Sequence, residues 1–310
     1  APVISFRYKD KGTAIHRLNP FGKLGWVTSV FVLALVFDNP VYVALLLLAT
    51  LPPVIAARVG REWAAVMKFA FYLCLAIIII NALVSSHGAH VLWQAPFKVP
   101  VLGSPAITLE AIVFGAGMSL RLLAIISAFA ILTFTVHPDD LMLAMVKMKL
   151  PYKSVLVTSL TTRFIPTLID DVERISDVQR SRGLELDRGR LFQRIKSRMA
   201  IIIPLLSNSL DRTVQVAEAM ESRAFGHGEK RTFYHQVKLN KIDVGILVAS
   251  FLPLALGIFM LWLGQGSYQY YPALARISLD GLEYFMLALL VFSLSLMAPL
   301  AFIKKRVELD

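Results

Sequence analysis

The chain has little of what a disulfide-bonded or water-soluble protein needs. Its 310 residues include a single cysteine, Cys74, and only 17% of them are charged, whereas 56% are hydrophobic. One cysteine excludes an internal disulfide. Soluble domains are usually about 45–50% apolar and about 25% charged, so the apolar excess excludes disordered, collagen-like and disulfide-rich proteins and indicates a membrane protein.

The chain also lacks a phosphate-binding loop, because the pattern G-x-x-x-x-G-K-[ST] occurs nowhere in it. We therefore expect no nucleotide site and no cofactor in this chain. Its net charge of +11 would suggest nucleic acid as a partner of a soluble protein. In a membrane protein, excess Lys and Arg more often mark the cytoplasmic side, so we expect contact with the lipid bilayer and no nucleic acid.

Apolar runs long enough for membrane helices dominate both ends of the chain. A spanning helix needs about 20 mostly apolar residues, and candidate spans lie near 24–37, 41–57, 65–84, 109–136, 243–263 and 282–303. The first run is short and is separated from the second by the turn Asp38-Asn39-Pro40. It spans the membrane if its helix begins near Phe21 and is re-entrant if it does not. The pattern predicts an all-α polytopic membrane protein with five to six transmembrane helices.

The basic residues predict the orientation in the cell (plasma) membrane. Residues 1–23, the turn after the second span and the C-terminus are rich in Lys and Arg, whereas 85–108 and 264–281 contain one basic residue each. By the positive-inside rule we expect both termini to be cytoplasmic and the two loops with few basic residues to be external. Residues 1–23 are polar, and we expect no cleaved signal peptide there.

A charged segment divides the apolar regions. We predict an N-terminal transmembrane region at 1–136, a cytoplasmic coupling domain at 137–242 and a C-terminal transmembrane hairpin at 243–310. Two stretches of the coupling domain, at 163–183 and 201–226, have the apolar period of amphipathic helices. Each predicts about 20 residues of helix, or about 30 Å, with Pro166 and Pro204 near the helix starts, where proline is tolerated or bends the helix.

The two predicted helices end alike. The first ends at Ser181-Arg182-Gly183 and the second at Ser222-Arg223-Ala224, followed by Phe225-Gly226. Ordinary helix-stop chemistry explains either ending alone, since a Gly supplies the left-handed residue and an Arg complements the helix dipole. The repetition favours a second interpretation, in which the two arginines dock into acidic pockets of a partner.

In these features the chain resembles the transmembrane T components of energy-coupling-factor (ECF) transporters, the EcfT/CbiQ family. The resemblance covers about residues 14–303. The pair of arginine triplets carries it most specifically; the other matching stretches are LNPFGKLG near the start, SLRLL at 119–123, TFTVHPDDL at 133–141, LPYKSV at 150–155 and RFIPTLIDDVERISDVQRSRG at 163–183. Both triplets begin with Ser where the family usually has Ala, and the second has Ala224 where Gly is usual. Because Ala tolerates the left-handed conformation less well than Gly, we expect the second tip to turn at Gly226, one step later.

The resemblance implies a subunit of an importer that is not itself an enzyme. Two ATP-binding cassette ATPase subunits would hydrolyse ATP, and a small substrate-binding membrane subunit (the S component) would capture a vitamin or a transition-metal ion. The arginine tips would dock into the ATPases. The resemblance also suggests structural or subunit-contact roles for Arg163, Pro166 and Pro204.

Two further features allow other interpretations. Arg121 lies within an apolar run, where an arginine is costly and functional by default. We expect it to pair with a carboxylate or to bind carbonyls between helices, and Glu110 lies too far along the helix to be its partner.

Asp170-Asp171 could hold Mg²⁺ and a diphosphate in a membrane lipid transferase. A solvated helix face with Asp170 paired to Arg174 explains the aspartates more simply, and a channel or secondary transporter is disfavoured by the uniformly aliphatic spans.

Overall fold

The structure is a computed structural model that describes residues 11–85, 88–94, 106–137, 140–141, 144, 152–184, 191–225, 241–276 and 280–307. It is an all-α polytopic membrane protein with one short antiparallel hairpin. The contacts within the chain divide it into two units, one formed by 1–141 and 238–310 and the other by 142–237.

The first unit contains the apolar helices and the hairpin. Its helices are α1 (Pro20–Val36), α2 (Pro40–Ala49), α3 (Leu51–Ala57), α4 (Gly60–Val84), α5 (Leu109–Thr135), α8 (Lys241–Trp262), α9 (Gly281–Ser295) and α10 (Met297–Val307), and its strands are β1 (Val91–Gln94) and β2 (Ala106–Thr108). The second unit contains α6 (Tyr152–Ser181) and α7 (Leu191–Ser222).

Five described segments are long and apolar enough to cross a membrane: Pro40–Ala57, Gly60–Val84, Leu109–Thr135, Ile242–Trp262 and Gly281–Lys304. The predicted transmembrane helices are confirmed in these five positions. Helix α1 is apolar but has only 17 residues, or about 25 Å at 1.5 Å per residue. It begins at Pro20, where Asn19 accepts a hydrogen bond from the Phe21 amide and so caps the first turn.

Small residues allow α1 and α8 to approach closely. A Cβ atom at Gly22 would lie 2.9 Å from Ile246 Cγ2, and one at Gly257 would overlap Leu33. The Ser29 hydroxyl donates to the Ser250 carbonyl at 2.7 Å, and the Ser250 hydroxyl donates back to the Gly22 carbonyl at 2.9 Å. Close backbone packing with serine cross-bonds is how membrane helices associate where no hydrophobic driving force is available.

Two buried lysines join the chain segments at one end of this unit. Lys23 Nζ donates to the carbonyls of His16 at 3.1 Å and Thr135 at 2.7 Å. Lys304 Nζ lies 2.7 Å from Asp243 Oδ1 and also donates to the Arg17 carbonyl. The start of α1, the end of α5, the start of α8 and the end of α10 therefore meet at the same end of the unit.

The turn between α1 and α2 lies level with the middle of α5. Arg121, twelve residues after Leu109 and fourteen before Thr135, contacts the turn residues Phe37 and Asp38. At 1.5 Å per residue the turn is thus about 18 Å along α5 from its first residue. The loop after α8 covers it, because the Gly266 carbonyl accepts the amides of Asp38 and Asn39.

Candidate functional site

Helices α6 and α7 form an antiparallel pair held by two polar contacts. Arg212 of α7 lies 2.9 Å from the Asp171 carboxylate of α6. Nearer the end of α6, Gln179 Nε2 donates to the Ala200 carbonyl at 3.4 Å. As the residue number rises along α6 it falls along α7, so the C-termini of the two helices point in opposite directions.

Both helices are longer than the sequence predicts. Helix α6 has 30 residues and α7 has 32, or about 45–48 Å each, and the expected length of about 20 residues is wrong. Pro166 and Pro204 lie inside the helices rather than near their starts. In the first turns of α6, Thr158 and Thr162 donate to the carbonyls four residues earlier.

Apolar side chains on both helices remain exposed within this unit. Ile169 of α6 is 54% exposed and Ile203 of α7 is 65% exposed. The set of exposed large apolar residues is Val157, Ile165, Ile169, Val172 and Val178 on α6, with Met199, Ile202, Ile203, Leu206, Leu210 and Val214 on α7. An apolar surface this long on a charged helix pair marks an interaction surface.

The first arginine tip is a complete Schellman motif. Gly183 has a φ of +84°, its amide donates to the Arg180 carbonyl at 2.9 Å, and the Leu184 amide donates to the Gln179 carbonyl at 3.0 Å. These two bonds satisfy carbonyls that the helix end would otherwise leave unpaired. Arg182 is the residue immediately before the left-handed position and is exposed.

The second tip has the same motif, which corrects the expectation that it turns at Gly226. Ala224 is itself left-handed, with a φ of +53°. Its amide donates to the Glu221 carbonyl at 2.8 Å, and the Phe225 amide donates to the Met220 carbonyl at 2.9 Å. The paired terminal carbonyls fix the turn at this position although Ala tolerates it less well than Gly. Gly226 lies outside the described residues.

The serine that precedes each arginine also has the same role. Ser181 Oγ donates to the Asp177 carbonyl at 2.9 Å, and Ser222 Oγ donates to the Ala219 carbonyl at 3.0 Å. Arg223, like Arg182, is exposed. Each arginine lies eleven residues beyond the Asp171–Arg212 contact along its own helix, about 16 Å. The structure thus places two equivalent cationic tips at opposite ends of one helix pair.

The paired aspartates do not form a joint site. Asp171 is 8% exposed and its carboxylate contacts Arg212, whereas Asp170 is exposed. The expectation that both lie on a solvated face is therefore wrong for Asp171, because α7 covers it. Within the described ranges, no group of three or more His, Cys, Asp or Glu side chains is arranged to hold a metal ion.

Arg121 forms contacts with the turn between α1 and α2. Its guanidinium donates to the Phe37 carbonyl at 2.9 Å and lies 2.8 Å from Asp38 Oδ1. The Tyr270 hydroxyl donates to the Asp38 carbonyl at 2.9 Å, and burial raises the pKa of that hydroxyl above its usual value. Glu110 instead accepts from the backbone amide and the ring of His90.

Sequence reasoning missed the partners of these charged residues. The local sequence pattern indicates that Asp38 is a turn residue and that Gln179 and Arg212 face solvent on amphipathic helices. Their partners are 83, 21 and 41 residues away in the chain, so no local pattern indicates them. Arg163 is exposed on α6.

Comparison with known proteins places this architecture in a family. The family model described as cobalt transport protein, CbiQ, matches residues 11–234. The energy-coupling factor transporter transmembrane protein EcfT of Streptococcus equi subsp. equi is 31% identical over 86% of this chain and 98% of its own length. The EcfT protein of Streptococcus thermophilus is 30% identical over 84% of this chain and 98% of its own, and that of Bacillus selenitireducens is 29% identical over 83% and 96%.

The apolar helices define a multi-pass membrane protein, and the relatives it matches are transporter subunits. The chain belongs to the CbiQ family, as a transmembrane T component of energy-coupling-factor transporters.

Proposed function

We propose that this chain couples ATP hydrolysis by two ATP-binding cassette ATPase subunits to the motion of a small substrate-binding membrane subunit, the S component. The observation that carries the proposal is the pair of matched Schellman tips, which place Arg182 and Arg223 at opposite ends of one helix pair. The proposal includes a cytoplasmic coupling domain at 137–242 and cytoplasmic termini, supported by the distribution of basic residues.

Each tip is suited to an acidic pocket. A guanidinium donates two parallel hydrogen bonds to a carboxylate and keeps its charge at every physiological pH. The left-handed residue after each arginine ends the helix there, so the arginine projects from a terminus rather than from a helix side. Two tips directed away from each other fit two ATPase subunits, one for each tip.

The apolar surface of the helix pair is proposed to bind the S component. Its exposed residues extend along α6 from Val157 to Val178 and along α7 from Met199 to Val214. When ATP binding closes the ATPase dimer, the tips are drawn together and the helices act as levers of about 45 Å. A membrane subunit seated on their apolar surface is then tilted.

The chain is proposed to have no catalytic activity and to leave substrate choice to the S component. It contains no phosphate-loop sequence, and the substrate class we infer is a vitamin or a transition-metal ion. The alternative of a diphosphate-handling membrane enzyme needs both Asp170 and Asp171 free for a metal, and Arg212 occupies the second of them.

Co-purification with the ATPases tests the docking role. The chain is co-expressed with candidate ATPase subunits and isolated in detergent, as the natural sequence and as Arg182→Glu/Arg223→Glu. We expect the natural chain to retain both ATPases, the double variant to lose them, and ATP-driven uptake to disappear with them. Arg174→Glu is the matched control for each single tip variant, because it makes the same charge change as one tip substitution on an exposed side of α6 away from the tip.

Either of two results would contradict the docking role. One is full transport by the double variant. The other is a loss of ATPase in Arg174→Glu equal to the loss in a single tip variant, which would assign the effect to the general charge of the helix pair. Each single tip variant is expected to retain one ATPase through the remaining tip.

A further inference from the structure

A surface cavity of about 550 Å³ lies where α3 ends, between that helix, the N-terminal segment and α10. Its lining is Lys11, Gly12, Thr13, Ala14, Pro52, Ile55, Ala56, Arg58 and Phe302. None of these residues belongs to the helix pair with the arginine tips.

The cavity lies at the boundary of the membrane. Its α3 wall belongs to the candidate span Pro40–Ala57, and the next span begins at Gly60. Arg58 is in the two-residue connection between these spans. Phe302 belongs to the end of the span Gly281–Lys304. The floor of the cavity is therefore at hydrocarbon depth, and its rim is at the level of the lipid headgroups.

The rim is cationic. Arg58 has a φ of +55°, and Lys11 Nζ donates to its carbonyl at 2.9 Å. Among the described residues, none forms a hydrogen bond or ion pair with the Arg58 guanidinium, which is exposed. Arg61 follows in the first turn of α4, and the nearby acid Glu62 is already bound to Lys11 at 2.7 Å. Glu62 thus offsets the charge of Lys11, and Arg58 and Arg61 leave the rim with a net positive charge among the described residues.

The wall below the rim is apolar, and its side chains are exposed. Ile55 is 74% exposed and Phe302 is 55% exposed. Pro52 lies in the first turn of α3, and Thr50 separates this helix from the end of α2. Proline has no N–H group and ends the regular hydrogen bonding of the preceding turn. This interruption separates α2 from α3, the helix that supplies Pro52, Ile55 and Ala56 to the cavity.

We propose that this cavity binds an anionic phospholipid, with the headgroup phosphate on Arg58 and Lys11 and an acyl chain along Ile55, Pro52 and Phe302. The charge of the rim selects the occupant, since basic pockets at the ends of membrane helices bind anionic headgroups. The apolar wall distinguishes a lipid from a free phosphate. The bound lipid would fix the connection between α3 and α4 in the leaflet nearer Lys23 and Lys304.

Native mass spectrometry of the full-length chain, purified in detergent, measures the proposed binding. Dioleoyl phosphatidylglycerol and dioleoyl phosphatidylcholine are titrated separately, so that only the headgroup differs. We expect a preference for phosphatidylglycerol that falls about fivefold in Arg58→Asn, because one basic residue near the surface contributes about that factor. Asn is chosen because it tolerates the left-handed conformation of residue 58.

Three further variants separate headgroup recognition from other effects. Arg58→Lys keeps the charge and is expected to keep most of the preference. Phe302→Ala removes apolar wall and is expected to weaken both lipids to a similar extent. Arg276→Gln neutralises an exposed arginine in the loop after α8, away from the cavity, and is expected to change neither affinity. Thermal unfolding of each variant shows that the comparison is made on folded protein.

Several results would overturn the proposal. Equal binding of the two lipids by the natural chain would show that the cavity does not select an anionic headgroup. Loss of the preference in Arg276→Gln to the same extent as in Arg58→Asn shows a general effect of charge. Displacement of phosphatidylglycerol by millimolar glycerol phosphate identifies a site for soluble phosphate instead of a lipid. If Arg58→Asn does not fold, loss of the preference in folded Arg58→Lys contradicts a charge-based site.

Discussion

The side chain of Gln179 donates a hydrogen bond to the carbonyl of Ala200, and Ala200 is the residue four positions before Pro204. In an uninterrupted helix the amide of residue 204 would occupy that carbonyl. Proline has no amide hydrogen, so the carbonyl is available to α6. The proline inside α7 thereby creates an acceptor for the neighbouring helix.

A double-mutant cycle at these two positions tests this relationship. Gln179→Ala is expected to lower the free energy of unfolding by about 0.5 kcal/mol, the low end for a hydrogen bond, since the bond is long. In a Pro204→Ala background the loss becomes smaller, because the new amide competes for the carbonyl. The measurement is denaturant unfolding of all four proteins. Equal losses in both backgrounds would show that Pro204 does not determine this bond.

The contact between Asp171 and Arg212 predicts unequal effects for two adjacent aspartates. Asp171→Asn leaves Arg212 without its carboxylate partner and is expected to destabilise the protein by about 2 kcal/mol, within the range for bonds to charged groups. Asp170→Asn changes an exposed residue and is expected to stay within about 0.5 kcal/mol. Thermal unfolding of the two variants measures the difference. If both aspartates act together in a metal site, the two variants instead lose Mg²⁺ binding equally.

The left-handed Ala224 predicts that glycine stabilises the second tip. Ala224→Gly relieves the steric cost of a positive φ and is expected to stabilise the chain by about 1 kcal/mol. The same substitution at Ala217, an exposed position within α7, is expected to destabilise by about 1 kcal/mol. Hydrogen exchange over 217–225 reports both changes. A destabilising Ala224→Gly would show that the turn residue is not left-handed.

Arg121 and Asp38 predict a non-additive pair. Arg121→Gln removes the charged donor from the Phe37 carbonyl and the Asp38 carboxylate and is expected to cost about 1–2 kcal/mol. Once Asp38→Asn is present, the further cost of Arg121→Gln is expected to fall, because only the carbonyl contact remains to be lost. Unfolding in detergent gives the four values. Additive effects would mean that the ion pair contributes nothing to the position of the α1–α2 turn.

The sequence predicts the apolar helices well because their signal is local. Each span is a run of about 20 apolar residues, and the caps at Asn19 and Asn39 lie next to the helices they begin. Both arginine tips are also found from sequence, since Ser-Arg-Gly and Ser-Arg-Ala recur at helix ends. The helix bounds in the charged segment are missed because Pro166 and Pro204 resemble helix starts when only the neighbouring residues are considered.

The sequence cannot predict contacts that depend on tertiary packing. The α1–α2 turn meets the middle of α5 only after three helices have packed, so Asp38 is not recognisable as the partner of Arg121. In the same way, the burial of Asp171 depends on α7 lying across that face of α6. The left-handed Ala224 is a different case, since the hydrogen bonds of the Schellman motif outweigh a backbone preference that favours Gly.

The antiparallel arrangement of α6 and α7 has a consequence for symmetry. Two antiparallel helices are related by a local two-fold axis perpendicular to the pair, and the Asp171–Arg212 contact lies midway between the tips. One chain therefore carries the same helix-end motif twice, and a rotation of half a turn around that axis brings one copy near the position of the other. In the complex proposed above, two ATPase subunits related by a two-fold axis would each meet that motif with the same surface. One kind of recognition pocket would then be sufficient for both tips.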